Sequence, residues 1–207
     1  MVNITQTKII NFDVNFSNIL IETYNFFQEP LMIYEIGSWK GLTATTMATI
    51  AKVNNIPCKI ICIDTWLGSP DYLTLGINDN NQGLSLNLKN GYPQIYYTFL
   101  NNIITLGHND IIIPFPMSSI EAADILKFYN INSHITFIDG SREYISIHTN
   151  LSKYWKLLKN DGYIYGDYYN QENYGIKNAV DDFSTAVMSP IIIDDFIWNI
   201  KKPHNYL

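Results

Sequence analysis

LMIYEIGSWKGLTATTMATIAKVNNIPCKIICID (residues 31–64) decides the fold. Its first six residues, LMIYEI (31–36), form a short apolar run that reads as a buried strand. GSWKG turns the chain, and LTATTMATIAKVNN (42–55) follows as a helix whose small residues permit close packing. KIICID (59–64) is a second strand, again without polar alternation. Continuous apolar strands separated by helices mean a parallel sheet covered on both faces.

The same rhythm runs outward from this stretch. Downstream, helical spacing at Tyr96, Phe99, Leu100, Ile103 and Ile104 precedes a strand at 110–115. A helix at 119–129, a strand at 134–139, a helix at 143–159, a strand at 162–167 and a helix at 175–187 come next. PIIID and FIWNI (190–200) are two terminal strands close enough to pair antiparallel. Upstream, residues 16–28 place Phe16, Ile19, Leu20, Tyr24 and Phe27 on one face of a helix that Pro30 stops. That face can pack on its own sheet or on a partner, which allows a homo-oligomer. The expected architecture is α/β: a doubly wound, mostly parallel seven-stranded sheet with an antiparallel C-terminal hairpin, in one domain spanning 1–207. Residues 67–92, rich in Gly, Asn and Asp, interrupt the rhythm and read as an inserted loop able to cap a site.

Composition narrows the functional classes. The chain has 207 residues, 47% hydrophobic and 15% charged, enough apolar material for a full core. Nineteen acidic against thirteen basic residues leave a net charge of -6, which argues against a nucleic-acid partner. No run approaches the ~18 apolar residues of a membrane span. MVNITQTKIINF lacks the pattern of a signal peptide, so a soluble, cytoplasmic protein is expected. Cys58 and Cys62, placed on one strand, stand about 13 Å apart, beyond disulfide reach. His108, His134, His148 and His204 show no zinc-ligand spacing. Arg142 is the only arginine, so its location matters.

Ligands of doubly wound sheets bind beyond the carboxyl ends of the strands. The first strand ends in Glu35-Ile36-Gly37-Ser38-Trp39-Lys40-Gly41, a glycine turn opening a helix but not the Gly-x-Gly-x-x-Gly fingerprint of dinucleotide sites. Asp64 ends the second strand roughly 20 residues on, where an acid can accept from ribose hydroxyls; Trp66 offers an aromatic surface beside it. Ser118 or Ser119, after the third strand, suits a helix cap or an adenine contact. Asp139 and Asp167 end the fourth and fifth strands, where they can converge on a hard cation or act as caps.

YEIGSWKG, CIDTWLGSP, LKNGYPQIYYTFL, IIPFPMSS, FIDGSREY and YWKLLKNDGYIYGDYY, in this order, resemble class I S-adenosylmethionine-dependent methyltransferases. The similarity covers roughly residues 31–187 and is nearest the small-molecule O-methyltransferase branch that includes macrocin (sugar) O-methyltransferases. It implies a Rossmann-like methyltransferase fold, S-adenosylmethionine as cofactor and a small-molecule acceptor such as a sugar or nucleotide-sugar. It also implies that Glu35, Gly37, Ser38, Gly41 and Asp139 surround the methionine part. Asp64 then holds the ribose, Thr65 and Trp66 flank it, and Met117 and Ser118 line the adenine.

Two departures stand out. The family's fourth motif carries a His, a candidate base, where this chain has Arg142; a guanidinium stays protonated and cannot accept a proton. The fifth motif usually reads Gly-Asp-Asp, and its paired acids hold a divalent metal such as magnesium with the strand-four Asp. Here it reads Gly166-Asp167-Tyr168, leaving Asp139 and Asp167 with one ligand missing. Arg142 can take the cation's place, pairing with an acid or clamping an anionic substrate, or it can simply be solvated. Asp139 and Asp167 remain as catalytic carboxylates, and Arg142, Tyr144, Tyr168 and Tyr169 as substrate contacts. The alternative is a degenerate chain that keeps the cofactor pocket and serves as a binding or scaffolding subunit.

Overall fold

In the computed structural model, which describes residues 4–69, 86–169 and 174–206, the 31–64 run forms β1 (Leu31–Ile36), α2 (Leu42–Val53) and β2 (Cys58–Asp64). Before them lies α1 (Ile4–Phe27). After them come α3 (Ile95–Thr105), β3 (Ile112–Pro116), α4 (Ser119–Phe128), β4 (Ser133–Ile138), α5 (Tyr144–Leu157) and β5 (Leu158–Gly166). The chain closes with α6 (Tyr174–Val187), β6 (Ile191–Asp194) and β7 (Ile197–Lys201). The seven strands form one sheet in the order β3-β2-β1-β4-β5-β7-β6. β1 pairs in parallel with both β2 and β4, so the order reverses between β1 and β4. β7 runs antiparallel between β5 and β6, giving the terminal hairpin.

Period-two alternation sorts the strand residues onto two faces. Leu31, Ile33, Ile60, Cys62, Ile135, Phe137, Tyr163 and Tyr165 pack with residues of α1, α2 and α3. Tyr34, Ile36, Ile61, Ile63, Ile138, Ile164, Trp198 and Ile200 pack with α4, α5 and α6. Both faces are covered, which is why the strands read as unbroken apolar runs. α1 docks on its own sheet through Phe16, Ile19 and Leu20, and Tyr163 and Lys201 both donate to its Glu22, at 2.6 and 2.7 Å.

Two boundaries differ from the sequence reading. α1 starts about three turns before residue 16, because its apolar rhythm is clear only where the helix meets the sheet. β5 starts at Leu158 instead of 162; the polar run Lys159-Asn160-Asp161 enters it where the β4–β5 register shifts between Ser133 and Ile135. Of the loop read at 67–92, residues 70–85 lie outside the described residues. Among the described residues, no helix is long and apolar enough to cross a membrane. Cys58 and Cys62 are free and buried on β2, His108 bonds Thr49, and His134 bonds Met32 and Glu29.

Gly37 sits at the reversal point with φ of 91°, and a Cβ there would stand 2.4 Å from the carbonyl oxygen of Asp139. Gly91 also has positive φ but open space around it. Gly37→Ala is therefore expected to cost about 2 kcal/mol more than Gly91→Ala, since only the first adds a backbone collision to the strain. Equal shifts of the two variants' urea midpoints would show that the close approach carries no energy.

Candidate active site at the carboxyl ends of the strands

Glu35 shares the face of Leu31 and Ile33, paired in register with Cys62 on β2 and Phe137 on β4. It is fully buried, and neither carboxylate oxygen meets a partner at hydrogen-bond geometry; the Ser38 hydroxyl above it is likewise buried and unbonded. Burial pushes the Glu35 carboxyl up to about 7, and Asp64 adds to the rise, against opposing pulls from Ser38, Cys62 and the Ala44 N–H. Gly41, with φ of 83°, caps α2 without any side-chain bond, and a Cβ there would press on the Phe99 ring at 2.8 Å. The turn thus holds an unmatched acid beneath an uncapped helix start. Glu35 and Ser38 are both buried beneath the turn.

Asp64 ties the two neighbouring loops together. One oxygen accepts from the Trp39 N–H and the other from the Trp66 N–H, each at 2.8 Å. The Trp66 indole in turn donates to the Trp39 carbonyl at 2.7 Å. Trp66 is 2% exposed, its ring packed on Tyr96 and Phe99 at 5.0 and 4.8 Å between centroids. It anchors the loop, and its remaining edge lines the cleft beside Thr65. Thr65 stays exposed at the rim of a cleft of about 590 Å³ walled by Leu67, Tyr92, Tyr96, Tyr97 and Pro116. The Met117 N–H donates to the Asp64 carbonyl at 3.0 Å, while its side chain packs toward the α4–α6 face. Ser118 caps α4, accepting from the Glu121 N–H at 3.4 Å.

Asp139, Arg142, Asp167 and Tyr168 meet around a gap of about 10 Å³, also lined by Trp198. Asp139 is held well above the usual carboxylate range, first by burial, then by Asp167, Glu35 and Asp64, with Arg142 pulling it down. Asp139 therefore feels three other acids from neighbouring strand ends, against a single guanidinium. Arg142 lies over the Tyr168 ring, 4.1 Å from its centroid. Tyr168, like Trp39 and Trp66, has positive φ (59°, 46° and 53°), so strained aromatic residues follow three of the strand ends.

Tyr144 and Tyr169 are placed differently from expectation. Tyr144 donates to Asp182 at 2.8 Å and Tyr169 donates to Asp181, so both hydroxyls are committed to α6. Among the described residues no group of three or more His, Cys, Asp or Glu could hold a metal ion, and Asp139 and Asp167 stand as a pair of carboxylates. Trp198 was missed from sequence. Only the β5–β7 pairing, Gly166 opposite Trp198, brings it to the gap.

A family model described as "Methyltransferase domain" matches residues 34–169. No curated protein matches the sequence. Among solved structures, the O-methyltransferase NovP is similar at 18% identity and a TM-score of 0.68, covering 92% of this chain and 79% of its own. CalS11, a TDP-rhamnose 3'-O-methyltransferase of calicheamicin biosynthesis, is similar at 13% identity and 0.57, covering 95% and 79%. An O-methyltransferase from Bacillus cereus in complex with SAH is similar at 12% and 0.60, covering 98% and 83%. At such identities the likeness is one of fold.

Glu35 makes ligand-free stability pH-dependent. Its folded-state value of about 7 lies above the ordinary 4.5, so within that window the folded chain keeps a proton the unfolded chain releases. Stability then falls as pH rises from 4.5 through 7. Glu35→Gln removes the penalty and is expected to gain up to about 3 kcal/mol at about pH 8 and little at about pH 4. Denaturant titrations at both pH values check this; an equal gain or loss at the two would contradict it.

Proposed function

The chain belongs to the methyltransferase-domain family, and from that premise we propose that it is an S-adenosylmethionine-dependent O-methyltransferase acting on a hydroxyl of a small polar acceptor, a sugar or nucleotide-sugar. The observation that carries this reading is the gathering of acids after neighbouring strand ends: Asp139 and Asp167 line one gap with Arg142, and Glu35 and Asp64 lie close enough to raise Asp139 further. Such a field suits a sulfonium with an ammonium group and disfavours the phosphates of a dinucleotide. The unbonded Glu35 and Ser38 oxygens are a buried polar demand that a cationic ligand overhead would offset. The sugar assignment draws support from CalS11, whose own acceptor is TDP-rhamnose. The free thiols of Cys58 and Cys62 suit a cytoplasmic setting, and the whole chain is taken to work as a single domain.

Bound S-adenosylmethionine would supply an electrophilic methyl group for in-line displacement by the acceptor oxygen. The turn from Gly37 to Gly41 cradles the methionine end, with Glu35 and Ser38 beneath it. Asp64 has one N–H on each oxygen and keeps lone pairs for the two ribose hydroxyls. Thr65 borders the same end, and Met117 and Ser118 stand where the adenine would lie. Asp139 takes the proton that the acceptor hydroxyl releases, with Asp167 beside it. A carboxyl whose proton affinity is raised by burial and neighbouring acids is a stronger base than an ordinary one. Arg142 and Tyr168 face the acceptor.

Saturating S-adenosylmethionine or S-adenosylhomocysteine should raise the melting temperature, since a ligand at 100 times its Kd adds about 2.7 kcal/mol. Asp64→Ala should shrink that shift, whereas NAD should give none. A shift with NAD and with neither adenosyl ligand overturns the proposal. With labelled cofactor, Asp139→Asn should lower kcat by about 100-fold or more. Cofactor binding without transfer to any hydroxylated acceptor would instead favour a scaffolding subunit.

A further inference from the structure

We propose that Arg142, laid over Tyr168, selects an acceptor that carries an oxyanion, a carboxylate or a phosphate, near the hydroxyl that receives the methyl group. This rests on the methyl-transfer reading and names the substrate class for the same crevice.

Arg142 is the chain's only arginine, and its side chain is exposed at the rim of the gap beside Asp139. Three carboxyl-bearing elements surround it: Asp139 in the loop after β4, Asp167 after β5, and Glu143 next to it at the start of α5. Even so, among the described residues no carboxylate lies within ion-pair distance of the guanidinium. Its protein contact is the ring of Tyr168. A guanidinium held over an aromatic face is oriented and partly desolvated, yet its N–H edges stay available for a planar oxyanion.

The backbone holds this arrangement in place. Tyr168 has φ of 59°, a strained position for a bulky residue, and this conformation presents its ring to Arg142. On the other side Arg142 is backed by Gly175 of α6, where a Cβ would stand 2.4 Å from the Arg142 carbonyl oxygen. The Arg142 backbone is therefore packed against α6, and its guanidinium rests on the Tyr168 ring. Around it the crevice is acidic, and Arg142 gains more from an oxyanion than from a neutral hydroxyl, because a charge-assisted bidentate contact is the stronger one. Arg142 stands at the family's candidate-base position and Tyr168 at its missing acid, so both departures from the resemblance meet in this one contact.

The test uses the whole protein saturated with S-adenosylhomocysteine, titrated calorimetrically with glucose 6-phosphate, glucuronate and glucose. At least one anionic probe should bind about 10-fold or more tightly than glucose, as expected for a charge-assisted bidentate contact. Which anion is preferred separates a phosphate from a carboxylate acceptor. Arg142→Ala should erase the preference while S-adenosylhomocysteine affinity stays within about 2-fold. Arg142→Lys should restore only part of it, because an ammonium neither stacks nor forks. Tyr168→Leu should weaken it by loosening the guanidinium. Equal affinity for the three probes, no binding of either anion, or a preference surviving in Arg142→Ala overturns the proposal. Failure of S-adenosylhomocysteine to bind, with the anion preference intact, sinks the methyl-transfer reading and leaves the anion site standing.

Discussion

Gly37 lies so close to the Asp139 carbonyl that the loops after β1 and β4 meet backbone to backbone, and the crevice above the sheet takes its shape from that approach. The Asp139 N–H donates to the Ile36 carbonyl, and the Gly37 N–H to the Ile63 carbonyl, each at 2.9 Å. The ends of β2, β1 and β4 are therefore stitched together before any side chain takes part. Asp64 then binds the Trp39 and Trp66 amides, fastening the loops after β1 and β2 to each other. A side chain at position 37 would separate the two central strand ends and move Glu35, Asp64 and Asp139 apart.

That closeness also concentrates charge. Carboxylates drawn together at the ends of adjacent strands, in surroundings of low polarity, raise one another's proton affinity. Glu35 is raised chiefly by burial: it alternates with apolar residues on a strand whose two faces are both covered, so its acid group is carried into the core by the pleat. The folded chain bears this unmatched acid only because the rest of the core is large. A cationic ligand near it would find a field already organised, with no solvent to rearrange.

The strand ends could be read one by one from sequence, since each apolar run breaks at an acid or a glycine. Glu35, Asp64, Asp139 and Asp167 were legible for that reason, and so was the place of Arg142. Side-chain direction was not. Trp66 was read as a surface for a ligand and is buried against Phe99. Tyr144 and Tyr169 were read as pocket residues and instead bond to Asp182 and Asp181 on α6. Aromatic residues near a site have several partners within reach, and local sequence does not say which one wins. The positive φ of Trp39, Trp66 and Tyr168 was equally hidden, because nothing in a non-glycine residue announces it.

By itself the sequence determined the two-sided parallel sheet, the antiparallel end and the acids that punctuate it, because burial on both faces forces strands to be continuously apolar and polar residues to collect at their tips. Tertiary structure alone decided that those tips share one field, that Glu35 lies beneath the turn, and that Trp198 reaches the gap between Asp139 and Asp167. Strand order and register set these relations, and they join residues more than a hundred positions apart through contacts that no local pattern encodes.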